Sequence, residues 1–170
     1  MQKNTFQPSF FASLLFIFSL LLSFTACNKS GKDKASQDSA LVVQMRKTPC
    51  FGQCPTYEIK VFENGYVWLK GEKHIEQIGT FEAKIGKKEL AVLKDKFEAN
   101  KFWDLDEAYE KTMTDLPTTY LRYTSGSKSK EVRRTGDAPE NLTNLEDVVA
   151  DLLKSLKWTK IEDASQESEK

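Results

Sequence analysis

The stretch "TPCFGQCP", residues 48–55, sets two cysteines four positions apart, with a glycine between them and a proline flanking each. Two thiolates at this spacing could hold Cu(I), which soft sulfur ligands favour. They could cycle as a redox pair, or close as a disulfide that shapes one loop. Elsewhere the residue types that carry chemistry are thin. His74 is the single histidine, so it cannot serve both a catalytic triad and a metal cluster. There is no G-x-S-x-G elbow, no H-E-x-x-H and no glycine-rich phosphate loop. "DLDEAYE", residues 104–110, lacks the alternation and glycine of a calcium loop and reads as a solvated loop. The sequence therefore points away from an enzyme and away from a metal or organic cofactor.

Two further groups suit binding better than catalysis. Asp115 opens "DLPTT" and could ligate something, although an aspartate before a proline turn usually bonds nearby backbone N–H groups. Trp68, Trp103 and Tyr66 could form a sugar-stacking surface, although aromatics in strands and at helix ends usually lie in the core.

The elements that must position these residues are legible from periodicity. "LVVQMRKT" is β-branched at its start and stops at Pro49. "TYEIKVF" alternates Tyr57, Ile59 and Val61 against Glu58 and Lys60, the period of a half-buried strand. Asn64-Gly65 then separates it from "YVWLKG", a strong hairpin signal because both residues tolerate positive φ. "IGTFEAKI" is a further strand, and residues 87–102 carry Leu90, Leu93 and Phe97 at helical spacing. "TTYLRYTSGSKSKEVRR" is a second hairpin turning at Ser125-Gly126. Residues 139–156 place Leu142, Leu145, Val148, Val149, Leu152, Leu153 and Leu156 on one stripe, with Asp137 and Pro139 as start signals. The order strands, helix, hairpin, helix predicts an α+β fold: an antiparallel sheet built from hairpins, with two helices packed on one face.

The flanks of this domain indicate its compartment. Residues 1–26 combine Lys3, an apolar run over residues 10–22 and a small residue, Ala26, before Cys27: the layout of a secretory signal peptide. The run is shorter than the roughly 20 apolar residues a membrane span needs. "FTAC" resembles the lipobox of bacterial lipoproteins, with Phe24 where leucine is usual; the resemblance implies a covalent lipid on Cys27 (palmitate among its acyl chains) and a membrane anchor. Asn28 after the cysteine implies sorting to the outer membrane, facing the periplasm. Residues 27–39 are small, polar and charged, a flexible tether. Residues 40–158 form the single domain, and 159–170 a disordered polar tail. The 25 basic and 25 acidic residues balance, so nothing electrostatic favours nucleic acid.

In an oxidising periplasm two nearby cysteines usually pair, so a Cys50–Cys54 disulfide is expected between two strands. C-x-x-x-C-P also resembles the copper-binding motif of the thioredoxin-like Sco family, which implies a thiol or copper-handling role. There, however, the motif opens a helix, whereas Pro55 leads here into "TYEIKVF". The run "TPCFGQCPTYEIKVFENGYVWLKG", with "TDLPTTYLRY" and a terminal helix ending at Trp158, resembles an uncharacterised family of bacterial envelope lipoproteins, a domain of unknown function. The resemblance implies architecture and location, and no activity.

Two function classes follow. The leading one is a non-catalytic envelope module that binds a protein, glycan or small ligand. The other is a periplasmic thiol or copper-handling protein. In the first, the "CFGQC" and "DLPTT" loops are expected at one edge of the sheet, with Gln53, Asp115 and Thr118 offering polar contacts beside Phe51.

Overall fold

The computed structural model describes residues 38–111 and 115–161, all within one unit, residues 34–170. The signal segment, Cys27, nearly all of the tether and most of the polar tail lie outside the described residues. No helix among the described residues is long and apolar enough to cross a membrane.

Alternating side chains produce the strands. β1 (Leu41–Lys47), β2 (Thr56–Phe62), β3 (Tyr66–Lys73) and β4 (Gly79–Lys84) precede helix α1 (Lys87–Ala99). A 3-10 turn (Phe102–Asp104), β5 (Ala108–Glu110), β6 (Thr118–Ser125), β7 (Lys128–Thr135), helix α2 (Glu140–Ser155) and β8 (Thr159–Ile161) follow. The strands form one sheet in the order β5-β7-β6-β1-β2-β3-β4-β8. Every pairing is antiparallel except β5 with β7. The fold is α+β with a mostly antiparallel sheet.

The β2–β3 hairpin turns at Asn64-Gly65, where Gly65 has φ 78° and the Tyr66 N–H donates to Asn64 Oδ1 at 2.9 Å. A Cβ on Gly65 would come within 2.3 Å of the Ile85 carbonyl oxygen, so only glycine fits this turn. Ser39, assigned to the tether by composition, already accepts the Asn64 N–H at 3.1 Å.

β1 is the central strand. Val43, Met45 and Lys47 stand opposite Val61, Ile59 and Tyr57 of β2, and opposite Tyr123, Leu121 and Thr119 of β6. Five of these side chains, Val43, Met45, Ile59, Val61 and Leu121, are fully buried. With Val67 and Leu69 of β3 they join one core to which α1 adds Leu90, Leu93 and Phe97, and α2 adds Leu142, Leu145 and Val149. An aromatic cluster fills its β6 side: Phe97 stacks on Tyr123 at 4.5 Å between centroids, and Phe102 meets both rings edge-on. Also buried, at 3% exposure, is Glu146 of α2. Its carboxylate accepts from Arg134 Nε at 2.7 Å and Nη2 at 2.6 Å, a bidentate pair that keeps the buried charge compensated.

Three boundaries differ from the periodicity. The first helix stops at Ala99 rather than continuing to Phe102, because Lys101 takes a left-handed conformation (φ 53°) and the chain re-enters as the 3-10 turn. Phe102 is still buried, by that turn and not by the helix. "DLDEAYE" is not wholly a loop, since its last three residues form β5, parallel to β7. Thr159–Ile161, read as the start of the tail, pair with β4 as β8.

Candidate functional site

The two expected binding loops do meet, and the sheet register gives the reason. β1 and β6 run antiparallel with Lys47 opposite Thr119, so the end of β1 and the start of β6 share one sheet end. The cysteine loop leaves from the first and the Asp115 loop enters the second. The ladder continues one step further: the Thr48 N–H donates to the Thr118 carbonyl at 3.0 Å, and the Thr118 N–H donates to Thr48 Oγ1 at 2.9 Å. Beyond it the Phe51 N–H reaches the Asp115 carbonyl at 3.4 Å, a long bond directly between the loops.

Cys50 and Cys54 are paired as a disulfide with Cα atoms 5.7 Å apart, within the normal range. The pair lies between β1 and β2, and no helix starts there. It closes a five-residue loop whose tip, Phe51, is 94% exposed. Gln53 and Asp115 are exposed beside it. Thr118 has a different position: it is the first residue of β6, half-buried, and its hydroxyl shares a 2.8 Å hydrogen bond with Thr135 Oγ1 across the β6–β7 pair. Its side chain belongs to the sheet ladder, so the polar surface around Phe51 comes from Gln53 and the Asp115 loop.

The aromatic trio is divided. Tyr66 and Trp68 lie two apart on β3 and so share a face, and Lys60 Nζ sits 4.6 Å from the Trp68 ring centroid. Trp103 instead packs on Tyr123 in the core cluster at 5.2 Å. His74 is exposed in the β3–β4 connection. Among the described residues no three His, Cys, Asp or Glu side chains gather as a ligand set.

A cavity of about 340 Å³ opens at this same end of the sheet, between the start of β2, the β3–β4 connection and the last turns of α2. Pro55, directly after the disulfide, forms part of its wall, and Tyr57, 3% exposed, another part. Burial, and then the nearby Glu146 and Asp147 carboxylates, push the Tyr57 phenol well above its ordinary pKa. Periodicity assigns Tyr57 and Leu153 to the core, as strand and helix-stripe residues. The hint that they also line a cavity is slight: a phenol on a core face requires a partner for its hydroxyl.

Fold and loop together define an α+β domain whose mostly antiparallel sheet carries a disulfide-closed, aromatic-tipped loop at one end. The chain belongs to the family described as Domain of unknown function (DUF6438), whose pattern matches residues 41–153. That span begins with β1 and ends within α2, so it contains both loops. No curated protein matches the chain.

Proposed function

We propose that this protein is a lipid-anchored component of the bacterial cell envelope, held at the outer membrane facing the periplasm, and that its domain is a non-catalytic module binding a partner through the disulfide loop. The observation carrying the binding role is Phe51, 94% exposed at the tip of a loop closed by Cys50 and Cys54. An aromatic ring left in water at a cross-linked position gives the domain no packing energy. It is the kind of side chain that anchors an interface, and the cross-link reduces the entropy lost on docking. Support comes from the sheet, which we take to carry both helices on one face, since α1 and α2 contribute to the same core as Val43, Met45 and Ile59. The anchor is supported by "FTAC" and the polar residues that follow it.

Two measurements test the two halves separately. Cys27→Ser should release the protein from membranes or mislocalise it; a full-length variant that still fractionates with membranes would overturn the lipid anchor. A photo-crosslinking residue at position 51 should trap an envelope protein that the same residue at exposed Lys70 of β3 does not. Identical adducts from both positions, or none from either, would remove the binding role. A thiol assay on native protein separates this reading from thiol or copper handling, because only the latter requires readily reducible or metallated cysteines.

A further inference from the structure

We propose that the cavity between the start of β2 and the end of α2 is a binding site for a small, uncharged molecule with an apolar body and one hydrogen-bond acceptor, which the Tyr57 hydroxyl engages. The walls are mostly apolar: Pro55, Tyr57, Ile75, Ala150 and Leu153, with Lys47 and Lys154 among the polar residues. The volume of about 340 Å³ lies at the low end for ligand sites, which limits the occupant to a small molecule.

The second observation is the phenol itself. Tyr57 is 3% exposed, yet its hydroxyl makes no hydrogen bond to any described residue. Among the described residues no buried side-chain polar atom is both sealed from solvent and unpartnered, so this hydroxyl reaches accessible space. Tyr57 borders two spaces, this cavity and a smaller one of about 100 Å³ shared with Arg46, Glu58 and Glu72; the carboxylates that act on its phenol, Glu146 and Asp147, belong to α2, which walls this cavity and not the smaller one. A phenol donor without a protein acceptor that opens onto a cavity is free to serve a ligand's acceptor. The charge around it selects the ligand class. Burial first, and then Glu146 and Asp147, keep the phenol protonated, so it donates. Glu146 is already compensated by Arg134, and the two lining lysines, Lys47 and Lys154, are offset by Glu76 on the wall and Asp147 beside the phenol, which leaves no formal charge to attract a charged ligand.

Three probes of nearly equal shape test this on the isotope-labelled full chain by amide chemical-shift titration: acetophenone, ethylbenzene and benzoate. Acetophenone should shift Tyr57, Ile75, Ala150 and Leu153 and bind several-fold more tightly than either ethylbenzene, which lacks the acceptor, or benzoate, which adds a charge. Tyr57→Phe keeps the ring and removes the donor, so acetophenone affinity should fall about 3- to 10-fold, to the level of ethylbenzene. Ala150→Leu should fill the cavity and abolish binding of all three, a check that holds even if Tyr57→Phe folds poorly. Shifts that do not centre on the cavity, equal acetophenone affinity in Tyr57→Phe, or a preference for benzoate would each overturn the assignment. None of these outcomes depends on Phe51 or its partner, so this site and the loop-binding role stand or fall separately.

Discussion

Phe102 and Phe51 are the same side chain in opposite circumstances. Phe102 is fully buried against Phe97 and Tyr123, with ring centroids 5.3 and 5.8 Å away. Phe51 stands 94% exposed on a disulfide-closed loop. The aromatic cluster gains from its rings through area removed from water and edge-on geometry. The loop gains nothing from its ring while unbound. On the proposed reading, stability and recognition are carried by different parts of the molecule, and each can be perturbed with little effect on the other.

The largest expected effect falls on the cluster. Phe97→Ala should lower unfolding free energy by about 3–5 kcal/mol, since it removes a fully buried ring from contact with Phe102 and Tyr123. Chemical denaturation measures this directly, and a loss below about 1 kcal/mol would mean the cluster is not the core it resembles. Next is the cross-link. Replacing Cys50 and Cys54 together by alanine should cost about 2 kcal/mol, because so short a ring removes little entropy from the unfolded chain. A cost equal to that of Phe97→Ala would break the contrast and make the loop a structural staple of the whole domain.

A smaller effect separates the regions by pH. The Tyr123 phenol, desolvated by burial and donating to Glu98 Oε1 at 3.1 Å, is pushed up to about 12. An unfolded tyrosine titrates near 10. Below pH 10 both states hold the proton and the contribution is complete; as pH rises from 10 towards 12 the unfolded state loses its proton first, and stability falls. By pH 11 the loss is on the order of 1 kcal/mol. Tyr123→Phe should make this alkaline decline shallower between pH 9 and 11, leaving the share that the raised Tyr57 phenol contributes, whereas Phe51→Ala should leave its slope unchanged.

The two regions also differ in how far the sequence reveals them. Leu90, Leu93 and Phe97 recur at helical spacing, and Asn64-Gly65 marks its turn, so local periodicity is enough to predict α1 and the β2–β3 hairpin. The same periodicity extends that helix to Phe102, whose burial by a separate 3-10 turn depends on the left-handed Lys101, for which the local pattern has no signal. At the loop, the meeting of residues 48–55 with Asp115 can be anticipated because both precede alternating strands. The actual cause is the antiparallel pairing of β1 with β6, a contact across more than 70 residues that no local pattern encodes. β5 and β8, of three residues each, are too short for periodicity to show. Thr118 looks like a loop donor by composition, whereas pairing with Thr135 makes it part of the ladder.

The smallest effect on stability is also the sharpest test of the contrast. Phe51→Ala removes a ring that touches almost nothing in the domain, so unfolding free energy should move by no more than about 0.5 kcal/mol. The backbone bond from Phe51 to Asp115 does not depend on the ring, and the disulfide holds the loop in either case. Partner capture from intact envelopes, however, should fall sharply, because an interface loses most when its central aromatic anchor is truncated. Phe51→Leu should recover part of the capture by restoring apolar area without the planar ring. Should Phe51→Ala destabilise the fold by 2 kcal/mol or more, the ring would be packing where it looks exposed. Should capture persist unchanged in a stable Phe51→Ala protein, the partner would be meeting another surface, and the loop would be no more than a tight connection between β1 and β2.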